Sequence, residues 1–120
     1  MSLIAGMTSR DFRGIPSIQE VECWGGSLNT DIKLMSLQIF TLPESTVLAS
    51  LNVYTNNCMT FGDFASCAIH PTDSHKSKVR LLVHDLGDGE SRRYGCTATI
   101  LNALGNAKTT TWTLLIRRKG

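Results

Sequence analysis

Four cysteines constrain this chain more than any other feature: Cys23, Cys58, Cys67 and Cys96 are separated by 34, 8 and 28 residues. Structural zinc wants Cys-x(2 to 4)-Cys pairs or Cys/His pairs at matching spacing, and no gap here has that form. An even number in so small a chain fits two disulfides, in any of three pairings that sequence alone leaves open. Disulfides persist in oxidising compartments, so a secreted or extracellular protein is expected.

At 120 residues the chain is expected to be one domain spanning 1–120, able to bury a single core. No apolar run nears the roughly 20 residues of a membrane span. The start, Met1-Ser2-Leu3-Ile4-Ala5-Gly6, lacks the basic stretch and long apolar core of a signal peptide, so a soluble span without membrane insertion is expected. Lys+Arg 12 against Asp+Glu 10 leaves a net charge of +2, too small and too scattered to imply nucleic acid as a partner. The run Arg117-Arg118-Lys119 reads as a solvated edge or the start of a linker rather than a binding site.

Short apolar segments recur with turn residues between them, and no helical stripe lasts beyond two turns, which predicts an all-β fold. Strands are expected over 18–24, 32–40, 47–55, 78–83, 93–101 and 108–116, each rich in β-branched or aromatic residues. Breaks are expected at Gly25-Gly26-Ser27-Leu28-Asn29, Leu42-Pro43-Glu44-Ser45, His70-Pro71-Thr72-Asp73-Ser74, Leu86-Gly87-Asp88-Gly89 and Asn102-Ala103-Leu104-Gly105-Asn106. Alternation puts Tyr94, Cys96, Ala98 and Ile100 on one face, Val79, Leu81 and Val83 inward, and Val21 with Cys23 on a face opposite Glu20, Glu22 and Trp24. Cys23 and Cys96 thus both point inward, where a bridge between two packed sheets would sit.

With Val21-Glu22-Cys23 early and Glu90-Ser91-Arg92-Arg93-Tyr94-Gly95-Cys96 late, the chain resembles the immunoglobulin superfamily, the V-like type in particular. The resemblance implies an immunoglobulin-like β-sandwich of two packed antiparallel sheets with Greek-key connections. It implies a Cys23–Cys96 bridge between the sheets, and Tyr94 as a tyrosine corner whose hydroxyl bonds back to upstream backbone. The family's strand C tryptophan is missing: the stretch is Leu34-Met35-Ser36-Leu37-Gln38-Ile39, with Leu37 as the substitute, while Trp24 and Trp112 lie elsewhere. Cys58 with Cys67 would close a small extra loop around strands C′ to D. Chain entropy assigns roughly 4.5 kcal/mol to the long bridge and roughly 2.5 to the short one.

Leu34 to Ile39, the extra cysteine loop, and His84-Asp85-Leu86 followed by Glu90 and Tyr94-Gly95-Cys96 look like the immunoglobulin domains of molluscan fibrinogen-related lectins. These sit upstream of a fibrinogen-like domain in secreted defence proteins, and the likeness spans about Val21 to Trp112. It implies an extracellular, non-catalytic module of innate-immune recognition, binding a foreign glycoprotein or carbohydrate as part of a larger lectin-like protein. Self-association through that longer protein is also implied. The alternatives are a cell-adhesion or receptor domain binding another protein, and a structural spacer with no ligand.

The sequence supplies no enzyme signature. There is no Gly-x-Ser-x-Gly elbow, and the cysteines are expected in disulfides, so no nucleophile is left exposed. Leu86-Gly87-Asp88-Gly89-Glu90 joins two strands and opens no helix, so it is not a phosphate cradle. His70 and His75, with Asp73 between them, find no further ligand at a comparable spacing, and Asp85, Asp88 and Glu90 lack EF-hand spacing; no metal or cofactor is expected. His84 is read as a turn-capping residue. No Asn-x-Ser/Thr sequon occurs.

Two surfaces are candidates for binding. One is the end loops over 25–30 and 102–106, with Gly26, Asn29, Asn102 and Asn106 as adaptable recognition residues. The other is the C, C′, F, G sheet face, expected to expose Gln38, Gly95, Thr97, Thr109 and Thr111. Met59, Phe61 and Phe64 in the small cysteine loop are expected to fold back onto the core edge, with an exposed contact patch as the alternative.

Overall fold

The computed structural model describes residues 3–27, 33–61, 64–68, 77–84 and 86–117. Nine strands carry them: β1 (Leu3–Phe12), β2 (Ile15–Ser27), β3 (Lys33–Leu42), β4 (Val47–Asn52), β5 (Asn57–Thr60), β6 (Ala65–Ala68), β7 (Lys78–Val83), β8 (Ser91–Leu101) and β9 (Ala107–Arg117). They form a four-stranded sheet, β1-β2-β7-β6, packed on a five-stranded one, β5-β4-β3-β8-β9. Every pairing is antiparallel. With β4 and β5 extending the second sheet, this is the nine-strand order that the V-like resemblance implies.

Period-two burial explains why these segments pair as they do. Val21 and Cys23 of β2, Val79, Leu81 and Val83 of β7, and Tyr94, Cys96, Ala98 and Ile100 of β8 all lie in the core, as their alternation predicts. Burial of each large apolar side chain stabilises the fold by about 1.5–3 kcal/mol. In β3 a bulge between Leu34 and Ser36 resets the alternation, so that Leu34 and Leu37, three apart, both point inward. Leu37 is fully buried.

Both expected disulfides are present, and both join the two sheets. Cys23–Cys96 links β2 to β8 through the centre, with Cα atoms 5.9 Å apart. Cys58–Cys67 links β5 to β6, the edge strands on one flank, with Cα atoms 6.1 Å apart.

Several expectations need correction. β1 was not expected; it forms a hairpin with β2 through Arg13 and Gly14, whose φ angles of 52° and 77° give the twist that matches adjoining strands. Gly25, Gly26 and Ser27 continue β2 instead of breaking it, because β1 reaches far enough to pair with them. The strand expected over 47–55 ends at Asn52, whose side-chain oxygen accepts the Thr55 N–H at 3.1 Å and turns the chain into β5. Glu20 points away from the core as expected, yet its side chain is 10% exposed because Arg10 covers it, with Nη2 2.7 Å from Oε1.

Candidate functional site

Strand register lays out the outer face of the five-stranded sheet. One row runs Met59, Ser50, Gln38, Thr97, Thr111; beside it runs Asn57, Asn52, Ser36, Thr99, Thr109. A third holds Phe40, Gly95 and Thr113. None of these rows contains a charged side chain. Thr97 and Thr111 share a hydroxyl hydrogen bond of 3.3 Å, Thr99 and Thr109 one of 3.1 Å, and Gln38 Nε2 donates to Ser50 Oγ at 3.2 Å. Two threonine pairs thus form a ladder of hydroxyls across β8 and β9.

The other half of the face mixes the polar Ser36, Gln38, Ser50, Asn52 and Asn57 with exposed apolar side chains. Met59 is 50% exposed and Phe61 54%, contrary to the expectation that they fold back onto the core; the disulfide at Cys58 turns the neighbouring side chain, Met59, outward. Phe40 is half-buried and lies over Gly95, which is why Gly95 is buried and not exposed as the alternation suggested. Leu115, 54% exposed on β9 and paired in register with Arg93, lines a groove of about 960 Å³ with Thr41, Leu42, Pro43, Glu44 and Arg93. Phe64 is also exposed, at 53%, but belongs to the flank beside β7, where its ring meets that of His84 at 3.9 Å between centroids. His84 thus rests on Phe64 rather than capping a turn.

The end loops divide differently. Asn102 Oδ1 accepts the backbone N–H groups of Leu104 and Asn106, both at 2.9 Å, so its carbonyl organises the β8–β9 turn. Asn106 is exposed in that turn, beside Leu104 at 85% exposure. Gly26 lies within β2 opposite Ile4. Asn29, His70, Asp73, His75 and Asp85 fall outside the described residues. On the outer face of the four-stranded sheet two ion pairs form, Arg10 with Glu20 and Arg80 Nε with Glu22 Oε1 at 3.0 Å.

Arg92 is a structural residue the sequence reading missed. Its Nε donates to Glu90 Oε2 at 2.7 Å and its Nη1 to the His84 carbonyl at 3.2 Å, while Glu90 Oε1 accepts the Gly87 N–H at 2.9 Å. The Arg92 and Gly87 bonds hold the Glu90 carboxyl below its ordinary pKa. Tyr94 is buried, which raises its hydroxyl pKa, and a hydrogen bond with Arg92 acts in the opposite direction. The signal was the Glu90, Arg92, Tyr94 spacing, which places all three on one face of the incoming strand. Glu90 is consumed by this corner, and no group of three or more metal-ligating side chains occurs among the described residues.

No family model matches the chain. No curated protein matches it either. Among solved structures it is similar to murine CRIg, at 11% identity and a TM-score of 0.61, over 93% of this chain and 97% of that one. At that identity the likeness concerns fold, and it agrees with the two-sheet strand order and with the inter-sheet disulfide. The chain has an immunoglobulin-like β-sandwich fold.

Proposed function

We propose that this chain is an extracellular, non-catalytic recognition module that binds a foreign glycoprotein or carbohydrate through the outer face of the β5-β4-β3-β8-β9 sheet. The observation that carries the reading is the combination of Met59 and Phe61, uncovered at the β5 edge, with the threonine ladder of β8 and β9, in rows that hold no charged side chain; Arg93, the register partner of Leu115, brings charge only toward the end of the face. Exposed apolar side chains of this size beside neutral hydroxyls suit a partner that offers both apolar and hydroxyl surface. The opposite sheet is less suited, because its carboxylates and guanidiniums already satisfy one another. In this reading the domain works within a larger secreted, lectin-like defence protein. A second reading, an adhesion or receptor domain that pairs with another protein domain, rests on the same exposed Met59 and Phe61.

The test is a multimerised domain applied to an array of glycans and to a panel of extracellular proteins. Phe61→Asp and Thr111→Arg are run beside the loop variants Leu104→Asp and Asn106→Ala. Binding to glycans or foreign glycoproteins that the face variants abolish supports the first reading, and binding to a receptor domain supports the second. Binding lost only in the loop variants would overturn the site. No binding at all would leave the spacer function.

A further inference from the structure

The two disulfides have opposite accessibility. Cys23 and Cys96 are fully buried between the sheets, whereas Cys58 is exposed and Cys67 half-buried on the flank. All four residues of β5 are exposed, and β5 pairs with β4 alone over four rungs, Asn57 to Thr60 against Asn52 to Ala49. So short an edge strand has no buried side chain to hold it, and the Cys58–Cys67 bond supplies its covalent tie to the other sheet. β5 and the residue after it carry Met59 and Phe61, the apolar part of the face described above.

We propose that Cys58–Cys67 is a redox latch: a dithiol reductant opens it while Cys23–Cys96 stays closed, and opening frees β5 from the recognition face. A thiolate of the reductant attacks Sγ of Cys58, forming a mixed disulfide and breaking the bond to Cys67, which leaves as a thiolate and takes up a proton. The second thiolate of the reductant then attacks its own sulfur in the mixed disulfide and releases Cys58. Two electrons pass from the dithiol, which ends as a disulfide, to the protein, which ends with two thiols. Exposure decides which bond reacts, since Cys23 and Cys96 cannot meet the reductant without global opening. The consequence for binding rests on the proposed function; the latch itself does not.

The experiment treats the oxidised chain at pH 8 with dithiothreitol, without denaturant, traps thiols by alkylation, and follows amide hydrogen exchange with no ligand present. Alkylation at Cys58 and Cys67 alone is expected. Protection in β5 should fall at least about tenfold, while amides of β2, β3 and β8 change less than about twofold. A Cys58→Ser/Cys67→Ser double variant, left unreduced, should show the same pattern. Simultaneous opening of both bonds, resistance of both, or unchanged β5 exchange after selective opening overturns the latch. Failure of the binding assay with a working latch would overturn the recognition face instead.

Discussion

Phe40 lies across Gly95 on the outer face of the five-stranded sheet, so close that a Cβ built on Gly95 would collide with the edge of the ring. The pair are register partners in β3 and β8, and the missing side chain of one makes room for the other. A methyl group there would force Phe40 off its seat. Gly95→Ala is therefore expected to destabilise the domain by about 1–3 kcal/mol, the usual cost of overpacking. Replacing Phe40 by Leu in the same chain should recover part of the loss. Urea denaturation of the three proteins checks this; equal stability of Gly95→Ala and wild type would contradict the packing.

Leu37, the register partner of Ala98, is fully buried in the core between the sheets. Leu37→Ala leaves a cavity in a site enclosed by both sheets and is expected to cost about 2–5 kcal/mol in chemical denaturation. A cost below about 1 kcal/mol would contradict the full burial of Leu37.

The Glu90 carboxyl is held below its ordinary value of 4.5, first by the hydrogen bond from Arg92 and then by the Gly87 N–H. A carboxyl with a lower pKa in the folded state adds stability that is complete above its unfolded value and drains away as pH falls through the folded one. Wild type should therefore melt above Glu90→Gln at neutral pH, and the gap in Tm should close as pH falls from about 4.5 through the depressed value. Melting curves across that window check it; a gap that persists in acid would show that the carboxylate charge is not what holds the corner.

Asn102 Oδ1 closes the β8–β9 turn through two backbone donors. Asn102→Ala should cost roughly 1 kcal/mol and raise amide exchange at Leu104 and Asn106. Asn106→Ala, exposed and outside the core, should leave stability within about 0.5 kcal/mol of wild type. A larger effect from Asn106 than from Asn102 would reverse the assignment.

The sequence made the sandwich legible where one face of a strand is buried. β2, β7 and β8 alternate against the core, so Val21, Val79, Leu81 and Ile100 announced their direction before any coordinates did. β5 and β6 were not legible for the opposite reason: four exposed or half-buried residues have no apolar period to read, and a disulfide ties them in place. β1 was hidden by Gly6 and a polar run from Thr8 to Asp11, although Arg13-Gly14 between two extended segments is a hairpin signal. At the candidate site, hydrophobicity alone pointed Met59 and Phe61 toward the core. Their exposure follows from which face Cys58 must present to Cys67, a tertiary fact that composition does not contain.

Peptide mapping by protease digestion and mass spectrometry, with and without reductant, tests the account at its centre, because the face, the latch and the core all depend on how four cysteines pair. Cys23 linked to Cys96 and Cys58 linked to Cys67, with no free thiol, is the predicted result. A free thiol at Cys23 or Cys96, or a bond from either to Cys58 or Cys67, would contradict it.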